Sequence, residues 1–193
     1  MTDTVRIHCL NTNEYKDVRV GSSLEELIEV FGVKKPYLIA NAKVNNKTES
    51  LTYQVYRPRR VEYVDISDSS AMRTYVRSLC FVLSKAVDDT LPDAEVYIEH
   101  AVSRGYYFHI ESNVEVGEKE LMAVKKRMQE IIDADIPFIQ VEEEIAEVVK
   151  LFRENGMKDK ALLLETSDDL LYARYSKLDN YIDYYYGCLL PSS

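Results

Sequence analysis

Two stretches of this chain have the residue spacing of a reactive site. In Arg77-Ser78-Leu79-Cys80-Phe81 the outer residues stand at i and i+4. On a helix those positions share a face, one turn apart, and two imidazoles placed there could grip one zinc ion. Arg77 cannot do so, because its guanidinium stays protonated and offers no lone pair, and Phe81 has no donor atom. The second stretch, Tyr181-Ile182-Asp183-Tyr184-Tyr185-Tyr186-Gly187-Cys188-Leu189-Leu190-Pro191, holds one thiol and one carboxylate among tyrosines and leucines. The three histidines, His8, His100 and His109, share no spacing and read as packed or surface side chains. Cys9, Cys80 and Cys188 are odd in number and form no Cys-x-x-Cys pair, so they read as small buried hydrophobes in a reducing compartment. The residue types therefore predict no metal, no cofactor and no catalytic residue.

The bulk properties narrow the partners. The 193 residues carry a net charge of −9, so general attraction to phosphate backbones is missing. Two basic clusters stand out locally. Lys125-Lys126-Arg127 lies among Glu118, Glu120 and Glu130 and reads as a solvated helix face; Arg57-Pro58-Arg59-Arg60 is a weak RNA-contact candidate. No run approaches the roughly 20 apolar residues of a membrane helix. The opening Met1-Thr2-Asp3-Thr4-Val5-Arg6 lacks the basic start and apolar run of a signal peptide. Together these predict a cytoplasmic protein without a membrane partner. No P-loop, Gly-x-Gly-x-x-Gly or Gly-x-Ser-x-Gly motif occurs.

The elements that must position the two stretches are legible from periodicity. Residues 5–10 and 15–20 read as a hairpin around Asn11-Thr12-Asn13-Glu14. Ser23 and Glu26 form a capping box, and Leu24, Leu27, Ile28 and Phe31 form the stripe of a helix stopped by Gly32. Residues 37–41 read as a buried strand, 43–47 as a hairpin tip, and 51–55 and 61–64 as short strands. Polar residues 65–70 mark a boundary. Beyond it the spacing predicts a long helix over 71–88, then strands over 96–98 and 105–110 around the turn 102–104. A helix to about 132, a strand over 137–141 and a helix over 142–155 follow. Strands over 160–164, 170–175 and 181–186 close the chain. On such a last strand Tyr184 and Tyr186 would share a face and Tyr185 the other.

These residues carry a resemblance. Up to about Asp65 the strand–turn–strand entry, the Ser-Ser-Leu-Glu-Glu-Leu helix start and the Ala42-Lys43-Val44-Asn45-Asn46 turn resemble the TGS domain, the ubiquitin-like β-grasp module that opens threonyl-tRNA synthetases. The remainder is similar to the second domain shared by threonyl- and alanyl-tRNA synthetases, where mischarged tRNA is hydrolysed. There Thr90-Leu91-Pro92 stands at a Leu-Trp-Pro-like helix end. Gly105-Tyr106-Tyr107-Phe108 stands at Gly-Phe-Tyr-Tyr-Asp, and Tyr181 to Gly187 at the start of Tyr-Val-Asp-x-Cys-x-Gly-Pro-His. The resemblance implies an α+β protein of two parts: a small β-grasp domain over 1–66 and a larger synthetase-like domain over 67–193. It also implies a degenerate pocket. The family's His-x-x-x-His falls on Arg77 and Phe81, and its Cys-x-x-x-His on Tyr185 and Leu189, while Lys160 and Asp183 of that pocket survive. Arg77 is then expected either to bond Asp183 or to present a position for a small anionic ligand.

Such a reused, non-catalytic module is what the resemblance leads one to expect ahead of the P-loop domain of a bacterial uridine-type nucleoside kinase. The chain's end directly after the motif-bearing strand fits a kinase domain downstream in the same chain. The alternative is the N-terminal region of a threonyl-tRNA synthetase or a related tRNA-binding or editing protein.

Overall fold

The computed structural model describes residues 3–103, 105–167 and 170–193. They form an α+β structure that divides into two compact units, residues 1–80 with 187–193, and residues 81–186.

The first unit is built on a five-stranded sheet. Its strands are β1 (Thr4–Cys9), β2 (Glu14–Arg19), β3 (Ile39–Val44), β4 (Lys47–Glu49) and β5 (Arg59–Asp65), in the order β2-β1-β5-β3-β4. Only β1 and β5 run parallel; the other neighbours are antiparallel. Alternation puts Val5, Ile7 and Cys9 of β1 on the buried face. The helix α1 (Leu24–Phe31) lies against the same core through Leu24, Leu27 and Phe31. Its start is the predicted capping box: Ser23 Oγ accepts the Glu26 N–H at 3.2 Å, and Glu26 Oε2 accepts the Ser23 N–H at 3.1 Å. Its end is the left-handed Gly32, at φ +60°. Asn45 and Asn46, both with positive φ, make the tight β3–β4 turn.

Residues 51–55 are not the strand the sequence predicts. Leu51 and Val55 are buried, yet the backbone here serves α1. The Leu51 carbonyl accepts from Glu25 N–H, and the Tyr53 carbonyl from Leu24 N–H, each at 2.9 Å. Those are first-turn donors with no partner inside the helix.

Helix α2 (Ser69–Thr90) is two residues longer at each end than the sequence predicts. Asp68 sets its start by accepting the Ser70 N–H at 2.7 Å and the Ser70 hydroxyl at 2.6 Å. The Ser70 hydroxyl, with its N–H, holds the Asp68 carboxyl below its ordinary value. The folded-state value is depressed, so this contribution is present above the unfolded value and is lost as pH falls through the folded one. Asp68→Ala is expected to lower stability by about 1 kcal/mol at neutral pH, and thermal melts should show the gap closing in acid.

The second unit contains β6 (Glu95–Val102) paired with β7 (Gly105–Glu111), α3 (Glu118–Asp133), β8 (Phe138–Glu144), α4 (Ile145–Glu154), α5 (Lys158–Glu165), β9 (Tyr172–Leu178) and β10 (Tyr181–Asp183). The last two strands and β8 form an antiparallel sheet in the order β10-β9-β8. Arg104 of the predicted β6–β7 turn lies outside the described residues, as do Met1 and Thr2 of the opening segment.

Three expectations fail here. Residues 160–164 are helical, not extended, so Lys160 stands on α5. Ala161-Leu162-Leu163-Leu164 is a short apolar run with no β-branched residue, and alanine and leucine favour a helix. Residues 142–144 extend β8 instead of opening a helix, because Glu142, Glu143 and Glu144 pair with Arg174, Ala173 and Tyr172 of β9. The last strand stops at Asp183, so Tyr184, Tyr185 and Tyr186 follow no strand alternation; Tyr186 is largely exposed, and Tyr184 packs on the core of α4, α5 and β9. Among the described residues no helix is long and apolar enough to cross a membrane.

Candidate functional site

In the first unit, α2 and residues 187–190 are tied by a ladder of hydrogen bonds. Arg77 Nη1 donates to the Cys188 carbonyl at 2.6 Å. The next residue, Ser78, accepts the Leu190 N–H at 2.8 Å on its hydroxyl, which itself donates to the Thr74 carbonyl at 3.0 Å. The Ser50 hydroxyl donates to the Leu189 carbonyl at 3.2 Å. Leu189 is buried and supplies only an apolar side chain. Gly187, at φ +115°, lets the guanidinium lie flat on the backbone: a Cβ there would stand 3.0 Å from the guanidinium carbon. Burial pushes the Cys80 and Cys188 thiols up, against the pull of the nearby Arg77 cation, so neither is primed as a thiolate.

In the second unit, Phe81 is fully buried in a box of rings. Its centroid lies 4.9 Å from Tyr185, 5.5 Å from Phe138 and 5.8 Å from Tyr181. Burial, with Asp183 and Asp88 nearby, pushes the Tyr181 hydroxyl well above the usual phenol range. Lys160 and Asp183 do meet: the ammonium on α5 pairs with the carboxylate that ends β10. Asp183 also accepts the Tyr184 N–H at 2.6 Å. Asp183 is buried and Lys160 half-exposed. Thus Arg77 donates to a main-chain carbonyl of its own unit, and Asp183 accepts from donors of its own.

The sequence reading passed over Lys85. This lysine is 1% exposed, and its ammonium donates to Asn180 Oδ1 at 2.6 Å and Asp89 Oδ1 at 3.1 Å, with Asp179 at 3.7 Å. Arg127 of α3 takes the other oxygen of Asp89 at 2.8 Å. The signal was present: Phe81, Lys85 and Asp89 stand at i, i+4 and i+8 on an apolar helix, so one face carries a cation and its carboxylate.

Guanidinium, phenyl, phenol and isobutyl groups at positions 77, 81, 185 and 189 are not a zinc donor set. Among the described residues no three His, Cys, Asp or Glu side chains converge to hold a metal. His8 stacks on Tyr15 with ring centroids 4.0 Å apart. His109 stacks on Tyr97, between Glu99 at 3.3 Å and Glu111 at 3.6 Å, and His100 faces Tyr107. The Tyr97 hydroxyl donates to Glu95 and is pushed up to about 12.

Charge is divided unequally. Residues 1–80 and 187–193 hold twelve Lys and Arg against ten Asp and Glu, a net +2. Residues 81–186 hold twelve against 23, a net −11. A surface this acidic repels phosphate backbones.

No family model matches the chain. It is similar to threonine–tRNA ligases over most of its length. The ligase of Syntrophomonas wolfei subsp. wolfei is 26% identical over 191 residues, 98% of this chain and 29% of that protein. That of Desulforamulus reducens is 25% identical over 171 residues, 88% of this chain and 27% of that protein. That of Haloquadratum walsbyi is 29% identical over 126 residues, 65% of this chain and 20% of that protein. The chain thus spans less than a third of the length of these relatives.

Proposed function

We propose that this chain is a threonyl-tRNA-synthetase-related region whose editing-type pocket has lost its hydrolytic chemistry and now serves as a non-catalytic binding or regulatory module. Similarity to threonine–tRNA ligases over 98% of the chain carries the reading. The lack of imidazole and thiol at positions 77, 81, 185 and 189 supports a non-catalytic role. The sheet order β2-β1-β5-β3-β4 with one helix after the first hairpin supports a TGS-like β-grasp domain over residues 1–66. The synthetase-like domain then covers 67–193. The positions that correspond to the family's pocket are Arg77 and Leu189 in the first unit and Phe81, Lys160, Asp183 and Tyr185 in the second, and a small anion is the candidate ligand of such a vestigial site. RNA contact is assigned to the first unit, where Arg57, Arg59 and Arg60 lie, and the setting is cytoplasmic.

Two measurements test this. The purified chain is expected to hold no stoichiometric zinc by elemental analysis, and to release no serine from mischarged Ser-tRNA above the buffer rate. One zinc per chain, or serine release that depends on Asp183, would overturn the loss of chemistry.

The replaced positions also favour a second reading, the module of a uridine-type nucleoside kinase, since a reused domain need not keep its ligands. None of the relatives named above is a kinase. The gene decides: a Gly-x-x-x-x-Gly-Lys-Ser/Thr encoded beyond Ser193 would select the kinase, and synthetase sequence there would remove it.

A further inference from the structure

The five-stranded sheet of the first unit buries one face and covers only one end of the other. Ile7 of β1, Val18 of β2 and Val61 of β5 point into the core shared with α1. Alternation turns Arg6 and His8, Tyr15 and Arg19, and Arg60 to the opposite side. At one end α2 closes that side: Val64 and Ala40 pack with Ala71, and Asn41 Nδ2 donates to Thr74 Oγ1 at 3.1 Å. At the other end, across β2, β1 and β5, Arg6, Tyr15, Arg19 and Arg60 are exposed and His8 is half-buried.

That open end carries a pair of rings with cations around it. Register puts Tyr15, His8 and Arg60 in one row across the three strands. The Tyr15 and His8 rings stack face to face, with centroids 4.0 Å apart and planes 5° from parallel. Nε2 of the imidazole donates to Asn13 Oδ1 at 3.2 Å, which fixes its ring. The Arg6 guanidinium carbon lies 5.6 Å from the Tyr15 centroid. Asp17 and Glu62 share the face by the same alternation, yet Arg6, Arg19 and Arg60 enter no ion pair among the described residues. Tyr15 is 57% exposed, so the stack is open to solvent.

On the reading that the first unit contacts RNA, we propose that this end of the sheet binds single-stranded RNA, a base stacking on the Tyr15–His8 pair while Arg6, Arg19 and Arg60 take phosphates. Rings and unpaired guanidiniums side by side match the two parts of a nucleotide. An acidic peptide would satisfy the arginines and leave the rings unused. A lipid surface needs an apolar face, and charged side chains surround this stack instead. A two-fold second copy would bring arginine against arginine. A duplex holds its bases stacked on one another and offers none to the rings. The charge of the unit agrees, net +2 against −11 for the second.

The test titrates the 193-residue chain with a short labelled single-stranded RNA of mixed sequence, read by fluorescence anisotropy, and repeats the titration with its blunt duplex and with a polyglutamate peptide. Only the single strand is expected to bind. Tyr15→Ala is expected to weaken it about tenfold, the worth of one stacked base, and Tyr15→Phe, which keeps the ring, to leave it unchanged. Arg6→Gln/Arg60→Gln is expected to weaken it and to lower the slope of log affinity against log salt by about one to two. Tyr37→Ala, an exposed tyrosine ahead of the far end of β3, is expected to change nothing. All the replaced side chains are exposed, and circular dichroism checks that the variants fold. Equal binding of the duplex or of polyglutamate, an unaffected Tyr15→Ala variant, or a Tyr15→Phe variant as weak as Tyr15→Ala overturns the proposal. Binding kept in Tyr15→Ala but lost in Arg57→Gln/Arg59→Gln would leave RNA on the first unit and remove it from this face. No binding by the unaltered chain would remove both.

Discussion

Replacing Asp89 by alanine is expected to destabilise the second unit by about 3–5 kcal/mol, and replacing Lys85 by methionine to cost less, about 1–3 kcal/mol. The asymmetry follows from what each change leaves behind. Without Asp89, the ammonium of Lys85 stays buried with only the neutral Asn180 amide and the largely exposed Asp179 as partners, and Arg127 keeps only Glu130. An uncompensated buried charge is among the most damaging defects a fold can carry. Without the ammonium, the aliphatic stem of methionine still fills the space, Asp89 keeps Arg127, and the loss is two hydrogen bonds. Urea titrations followed by far-ultraviolet circular dichroism and by tyrosine fluorescence, in a chain with no tryptophan, would rank the two. Equal cost, or a greater cost for Lys85→Met, would mean that the ammonium is solvated in solution and that the network does not hold α2 to the β9–β10 turn.

The parts of this fold that announce themselves in the sequence are those specified locally. Ser23 and Glu26, Gly32, and the Asn45-Asn46 turn each fix the backbone within a few residues, and each is where its residue types place it. The misread segments are those where a distant partner decides. Glu142 to Glu144 have helix-forming side chains, and β9 makes them a strand. Leu51 to Val55 have strand-like alternation, and the open first turn of α1 draws their carbonyls. Residues 160–164 are ambiguous in kind, because a four-residue apolar run fits either state. The site divides the same way. That positions 77 and 81 cannot ligate is a property of residue type and needs no structure. That Arg77 donates to a main-chain carbonyl 111 residues away, made accessible by a glycine at positive φ, is a property of packing alone. Asp183 takes Lys160, not the expected Arg77, as its cationic partner, and Lys160 reaches it from a helix where the sequence predicts a strand.

Phe81→Ala is expected to cost about 3–5 kcal/mol, the range for emptying a fully buried aromatic site. Three rings surround Phe81, and removing it leaves Tyr185, Phe138 and Tyr181 facing a void. Phe81→His is the more informative change, since it places an imidazole at the second position of the i, i+4 pair. The imidazole would enter an aromatic box, where none of the three neighbouring rings can replace the water around a charged histidine, so the variant should fold with a neutral ring and lose stability toward the alanine value. Pairing Phe81→Ala with Tyr185→Ala in a double-mutant cycle should return a coupling of about 0.5–1.5 kcal/mol, the worth of a tilted ring pair beyond the area it buries. A single-variant cost below about 1 kcal/mol, at the level of a surface change, would show that this ring is not core. The space at position 81 would then still be open to a ligand, and the pocket would not be sealed by its own side chains. A cost in the predicted range with measurable coupling to Tyr185 places the ring where a metal pair would have needed an open coordination shell. On that outcome position 81 is hydrophobic core, and any ligand of the second unit must be met at its surface.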